Sequence, residues 1–208
     1  MDWSDPGSAV VPSLDAVVLA VLVGTTEPIS GREVHRRARR GSKSGVHNVL
    51  ARMEAHGLVD AVDAPPTRLY SFNAEHVAAP AAVALLDLRG QLFERIRQEV
   101  AAWDLAPVAA AVFGSAARGD GGVDSDLDLF LVRPDGVADD APIWADQVDE
   151  LAQRIRRWSG NPASIHQVGT EDVADMVARQ APVAEALRAD AVTLSGLTVA
   201  ALLDQVSR

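Results

Sequence analysis

The sequence predicts an α+β protein made of two globular parts and a helical segment between them. Residues 1–76 show three helical patterns followed by two short strand patterns. Residues 77–104 show one helical pattern, and residues 105–208 alternate buried strands with helices. A chain of 208 residues is long enough for two small domains, each with its own core.

Three helices are predicted near the N-terminus. Ser13 is placed to cap an apolar helix that ends at Gly24. Ser30 opens a second helix, and Glu33 follows it at the spacing of a capping box. The third helix spans Ser42 to His56, with apolar residues recurring every three or four positions.

A hairpin follows these helices. The stretch "LVDAVDAPPTRLYSFN" contains two β-prone runs on either side of a Pro-Pro pair. Three helices and then a hairpin is the element order of a winged helix-turn-helix, in which the third helix enters the major groove of DNA.

A basic segment coincides with the second and third helices. The chain has a net charge of −10, yet residues 30–52 contain seven Lys/Arg and one Glu. This local charge predicts contact with double-stranded DNA, and the alternative is a solvated face of an interaction module. The candidate DNA-binding residues are Arg36, Arg37, Arg39, Arg40, Ser42, Lys43, Ser44, His47, Asn48 and Arg68.

Composition restricts the cellular setting. The absence of cysteine excludes disulfides and thiolate metal sites and favours a reducing, cytoplasmic location. The start "MDWSDPG" lacks the basic flank of a signal peptide. The apolar run "AVVLAVLVG" is far shorter than the roughly 20 residues that a membrane span needs, so no membrane partner is expected.

The apolar residues of the segment 77–104 permit two interpretations. They include Val83, Leu86, Phe93, Ile96 and Val100. Either they pack a linker helix on its neighbours, or they form the seam of a homodimer.

The C-terminal part contains three strand patterns, "PVAAAVFGS", "DLDLFLV" and "ASIHQV", with helices between and after them. The turn at Gly114 and Ser115 offers backbone N–H groups and a hydroxyl that suit a phosphate, and Arg118 follows within one turn. Asp126 and Asp128 are expected on one strand face, where two carboxylates repel unless a divalent cation holds them.

The segment "GSAARGDGGVDSDLDLFLV" resembles the signature of the DNA polymerase beta-type nucleotidyltransferase superfamily, and especially its minimal bacterial and archaeal members. The resemblance implies a small mixed sheet with flanking helices, a nucleoside triphosphate such as ATP, and Mg²⁺ or Mn²⁺ held by Asp126 and Asp128. The candidate nucleotide-binding residues are Gly114, Ser115, Arg118 and Ser125.

This sequence departs from the superfamily at one point. The superfamily usually supplies a third carboxylate from the next strand, whereas "NPASIHQV" contains neither Asp nor Glu. The corresponding face offers Ser164 or His166, so His166 is the candidate base or ligand. Nucleotide and metal binding are therefore better supported than turnover.

Nearly the whole chain resembles a bacterial family that fuses a winged helix to a minimal nucleotidyltransferase. One hypothesis is a DNA-binding enzyme that transfers a nucleotide to a protein, an RNA end or a small molecule. A second is a non-enzymatic transcription regulator that only senses nucleotide. In a third, the winged helix serves dimerisation or RNA contact in an enzyme that modifies RNA or an antibiotic.

Overall fold

The chain folds into two compact units, seen in a computed structural model that describes residues 1–179 and 182–206. The first unit is Asp5–Leu88, and the second combines Met1–Ser4 with the chain from Arg89 onward. Both units mix helices with an antiparallel or mixed sheet, so the predicted α+β class is confirmed.

The first unit contains α1 (Leu14–Val23), β1 (Ile29–Ser30), α2 (Gly31–Ala38), α3 (Lys43–Ala55), β2 (Val59–Ala64), β3 (Thr67–Phe72) and α4 (Ala79–Leu86). Its strands form an antiparallel sheet in the order β1-β3-β2. The predicted order of three helices and a hairpin is present, with β1 as an unpredicted third strand. The assignment as a winged helix-turn-helix stays a prediction.

Serine caps fix the starts of α2 and α3. Ser30 accepts a hydrogen bond from the backbone N–H of Glu33 at 3.2 Å, and Ser42 accepts one from Gly45 at 3.0 Å. The side chain of Glu33 turns to Arg36 and Arg37 instead of completing a capping box. Val46, Val49, Leu50 and Met53 of α3 fill the core of this unit, so the polar face of α3 points outward.

The segment predicted as one linker helix, residues 77–104, is two helices. α4 ends at Leu86, and α5 spans Leu88–Ala101. The break follows from packing, since Leu86 contacts the core of the first unit whereas Phe93, Ile96 and Val100 are buried in the core of the second. These three residues are buried within the chain, so they cannot form the seam of a dimer. A homodimer stays a prediction, and it would need other contact residues.

The second unit continues with β4 (Ala109–Phe113), α6 (Gly114–Arg118), β5 (Leu127–Val132), α7 (Pro142–Ser159), β6 (Ala163–Val168), α8 (Thr170–Ala178), α9 (Pro182–Asp190), β7 (Val192–Gly196) and α10 (Val199–Val206). The sheet order is β6-β5-β4-β7. β5 is parallel to β6 and antiparallel to β4, and β7 pairs antiparallel with β4. β7 was not predicted, and it pairs with the edge of β4 opposite to β5.

Both faces of this sheet are covered, as the apolar composition of β4 and β5 suggests. Leu127, Leu129 and Leu131 are fully buried in the core on one face. Phe113 and Phe130 belong to a second core on the opposite face, together with residues of α8, α9 and α10. Asp128 lies on this second face, at the end where β5 begins. Within the described residues, no helix is long and apolar enough to cross a membrane.

Candidate functional site

The turn between β4 and α6 is built around Gly114. This residue has φ +69°, which disfavours side chains other than glycine. A Cβ added at Gly114 would lie 2.5 Å from Oδ2 of Asp128, because Phe113 and Asp128 are paired across β4 and β5. Glycine is therefore required here for two reasons. The backbone is left-handed, and the carboxylate of Asp128 lies where a Cβ would be.

The two predicted metal ligands differ in environment. Asp128 lies on β5 and is half-buried, whereas Asp126 precedes the strand by one residue and is exposed. Burial raises the pKa of Asp128 above its ordinary value. The charge of His166 opposes this rise, and that of Asp126 adds to it. The charge of Arg118 also lowers this pKa, and that of Asp190 also raises it. A cation at Asp126 and Asp128 would remove the repulsion between them.

Two serine hydroxyls converge beside Gly121. A Cβ at this glycine would lie 2.6 Å from Ser115 Oγ and 2.8 Å from Ser125 Oγ. Ser115 is the second residue of α6, and Ser125 lies in the loop that leads to Asp126. The structure thus brings together two candidate nucleotide-binding residues that are ten positions apart in the sequence.

Asn161 holds this loop in place, and sequence reasoning missed it. Its side chain is buried, and Nδ2 donates to the carbonyl oxygens of Val123 at 3.1 Å and Ser125 at 2.9 Å. The same amide nitrogen donates to the carbonyl of Met1 at 3.1 Å. A buried amide with these bonds determines the path of the backbone just before Asp126.

Arg118 is held by two carboxylates. Its Nε donates to Asp120 at 2.9 Å, and a terminal nitrogen donates to Asp190, the last residue of α9. Both bonds raise the pKa of Arg118, and the bond from Arg118 lowers the pKa of Asp120. Asp190 also accepts a hydrogen bond from the backbone N–H of Gly114 at 3.1 Å. It was absent from the predicted site, because it lies 76 positions after Gly114 in the sequence.

β6, the strand next to β5, contributes His166 to the site but contributes no carboxylate. Asp128 is in register with Ser164, and Phe130 with His166. The His166 ring is exposed and lies 5.6 Å from the ring of Phe113, centroid to centroid. His166 therefore faces the same side of the sheet as Asp128.

The residues present suit a cation that takes part of its coordination from phosphate. Among the residues that the structure describes, no three His, Cys, Asp or Glu side chains form a metal-binding group. Mg²⁺ is commonly held by one or two carboxylates, with water and substrate phosphates completing the shell. Asp126 and Asp128 supply such a pair.

A basic groove lies in the first unit, between the start of α3 and the β2–β3 hairpin. Its volume is about 850 Å³. It brings together five predicted DNA-binding residues, namely Ser42, Lys43, Ser44, His47 and Arg68. Arg32, Thr67 and Tyr70 also line it and were not predicted. Asn48 is exposed on α3, the helix that carries Lys43 and His47.

The remaining predicted arginines lie elsewhere on the same unit. Arg36 and Arg37 both pair with Glu33, which lowers the pKa of Glu33 to about 2. Arg39 and Arg40 line a second groove of about 490 Å³ that also includes Arg36. Arg40 forms an ion pair with Asp5 at 3.3 Å, and Arg68 in the first groove pairs with Glu54 at 2.7 Å.

Comparison with known proteins identifies one domain. A family model described as "Nucleotidyltransferase domain" matches residues 93–169, which include the Gly114 turn, both aspartates and β6. A solved structure described as "Crystal structure of the toxin-antitoxin with AMP-PNP" is similar, with 15% identity over 55% of this chain and 83% of that chain, at a TM-score of 0.37. No curated protein matches the chain. The family match therefore indicates a nucleotidyltransferase domain at residues 93–169.

Proposed function

We propose that the second unit binds a nucleoside triphosphate with Mg²⁺ or Mn²⁺ and transfers its nucleotidyl group to an acceptor hydroxyl. The observation that carries this proposal is the contact of Asp128 with the Gly114 turn. It places a carboxylate beside backbone and hydroxyl donors, inside the segment that matches a nucleotidyltransferase domain. A cation held by Asp126 and Asp128 would neutralise charge that develops on the phosphates.

The protein side chains have separate roles in this reaction. The hydroxyls of Ser115 and Ser125 donate to phosphate oxygens, and Arg118 supplies a positive charge. The acceptor oxygen bonds to the α-phosphorus, the bond from the α-phosphorus to the bridging oxygen breaks, and pyrophosphate leaves. A ring nitrogen of His166 takes the proton of the acceptor hydroxyl. A protein side chain, an RNA end and a small molecule are all acceptors of this class.

A second candidate function is nucleotide sensing without transfer. It is favoured by β6, which presents Ser164 and His166 where the superfamily usually supplies a third carboxylate. In this case the bound nucleotide changes how the first unit binds DNA, and no product forms.

The first unit completes the proposal as a winged helix-turn-helix that binds double-stranded DNA in the cytoplasm. The exposed side chains of Lys43, Ser44, His47 and Asn48 lie at the start of α3, where base edges would be read. Arg68 on the hairpin is placed to contact the DNA backbone.

Calorimetric titration of the full chain with each of the four nucleoside triphosphates, with and without Mg²⁺, tests the binding step. We expect one nucleotide to bind with Mg²⁺, and Asp126→Asn to weaken it by about tenfold or more. Asp124→Asn is the matched control, since it removes an exposed carboxylate two positions earlier and should bind as the wild type does. Absence of binding to all four nucleotides by folded protein overturns the proposal.

Labelled nucleotide then separates transfer from sensing. With label on the α-phosphate, transfer leaves the label on an acceptor fraction and releases unlabelled pyrophosphate. Sensing gives Mg²⁺-dependent binding without either product, together with a nucleotide-dependent change in affinity for DNA.

A further inference from the structure

Asp190 contacts two hydrogen-bond donors of the candidate phosphate site, one of which is Arg118. Its carboxylate accepts hydrogen bonds from the Gly114 amide and from the Arg118 guanidinium. The side chain is only 8% exposed, so the carboxylate is enclosed in the site instead of extending into solvent. Asp190 lies beyond the matched segment 93–169, and no sequence motif marked it.

The charge balance makes this contact significant for binding. The charges of Asp126 and Asp190 both raise the pKa of Asp128, so these three carboxylates lie close together. A metal-free triphosphate that replaced Asp190 would exchange one anion for another at the same donors. It would also meet the unscreened charges of Asp126 and Asp128. A metal-bound triphosphate avoids this repulsion, because its cation is attracted by both aspartates.

We propose that Asp190 is a specificity-determining residue of this site, which keeps phosphate from the Gly114 amide and Arg118 unless a divalent cation accompanies it. The inference rests on the proposed function. The metal-bound triphosphate displaces the carboxylate of Asp190 from both donors, whereas free phosphates do not.

Inorganic tripolyphosphate is the probe, since it carries the phosphate chain without a base. Its binding to the full chain is measured by calorimetry in Mg²⁺ and in EDTA. We expect the wild type to bind it only with Mg²⁺. Asp190→Asn should bind it in EDTA as well, with a gain of about tenfold or more over the wild type, because the side chain that contacts both the Gly114 amide and Arg118 has lost its negative charge.

Asp175→Asn is the matched control. Asp175 also pairs with an arginine, Arg179, but both side chains are exposed on α8 and its extension. This variant changes the net charge by the same amount and should bind tripolyphosphate as the wild type does.

The outcomes distinguish the two proposals. Suppose that the wild type binds tripolyphosphate with Mg²⁺, while Asp190→Asn does not bind it in EDTA or differs from the wild type only by weaker binding in Mg²⁺. This inference is then wrong, and the proposed function stands. If neither protein binds tripolyphosphate or any nucleotide under either condition, both are overturned.

A second measurement uses the wild-type protein, because Asp190→Asn removes an enclosed ion pair and can unfold the unit. The amide signal of Gly114 and the Nε signal of Arg118 are followed by NMR during titration with tripolyphosphate and Mg²⁺. Both signals should shift together as Asp190 is displaced. If the Ser125 amide shifts while Gly114 and Arg118 do not, Asp190 stays in place and the inference is wrong.

Discussion

Asp128 Oδ2 lies so close to Gly114 that a Cβ on that glycine would be 2.5 Å from it. Gly114→Ala therefore has to move the carboxylate as well as place alanine at φ +69°. We expect a loss of about 1–3 kcal/mol in the free energy of unfolding and a loss of Mg²⁺-dependent nucleotide binding. Urea denaturation and calorimetry measure the two effects.

Gly122→Ala provides the control for that substitution. A Cβ at Gly122 meets nothing within 4 Å, and the residue lies in the same loop region as Gly121. Its unfolding free energy and nucleotide affinity should match the wild type. Equal effects of both glycine substitutions would show that the contact with Asp128 is unimportant.

Asn161→Ala should weaken nucleotide binding although Asn161 is not proposed to contact the ligand. The substitution leaves the carbonyls of Val123 and Ser125 without their buried donor, at a cost of about 1–3 kcal/mol in unfolding free energy. The loop that carries Ser125 and Asp126 should then lose its fixed path. Hydrogen exchange of the Ser125 and Asp126 amides measures this loss directly.

Asn73→Ala is the control for Asn161→Ala. Asn73 donates through Nδ2 to the carbonyl of Gly57 at 2.8 Å, and both residues belong to the first unit. Its removal should lower stability without changing nucleotide affinity. An Asn161→Ala protein that binds nucleotide as tightly as the wild type would exclude a positioning role.

The raised pKa of Asp128 predicts a pH dependence of stability in the absence of divalent cations. The folded state binds this proton more tightly than the unfolded chain does. Stability contributed by Asp128 therefore increases as pH falls through its folded pKa, and the increase ends below its unfolded pKa. At neutral pH in EDTA, Asp128→Asn should raise the melting temperature, and this gain should shrink as the pH is lowered.

Addition of Mg²⁺ should reverse the order of the two proteins. Binding to the folded state stabilises the wild type by mass action, whereas Asp128→Asn has lost one of the two ligands. The wild-type melting temperature should rise with Mg²⁺ at neutral pH, and that of the variant should change little. An equal rise in both proteins would place the cation elsewhere.

The sequence alone singles out candidate site residues where a local pattern encodes them, and their roles stay predictions. Gly114 with Ser115, and Asp126 with Asp128, form a motif whose spacing reflects a strand, a turn and a second strand. Its physical basis is the left-handed glycine and the register between β4 and β5. The caps at Ser30 and Ser42 were also predictable, because capping depends on residues three positions apart.

Residues that act through tertiary contacts gave no such signal. Asp190 ends α9 in the sequence as an ordinary helical residue, and tertiary packing of α9 and β7 against β4 and α6 brings it to Gly114. Asn161 reads as a turn residue between Gly and Pro, yet it is buried. The two-residue strand β1 is too short for a periodic pattern, and the apolar pattern of residues 77–104 does not reveal that two cores divide it.

The groove of the first unit predicts how DNA affinity should respond to single substitutions. Lys43 and Arg32 line the groove, whereas Arg36 is ion-paired with Glu33 outside it. Lys43→Ala and Arg32→Ala should each lower affinity for duplex DNA and reduce the slope of log K against log salt by about one, as expected for a lost phosphate contact. Arg36→Ala should have the smaller effect, because Glu33 already compensates its charge. Fluorescence anisotropy over a range of salt concentrations measures both quantities.

Arg179→Ala in the second unit is the matched control for the loss of one positive charge, and it should leave the slope unchanged. If all four variants lower affinity equally, the effect follows net charge, and the groove does not bind DNA.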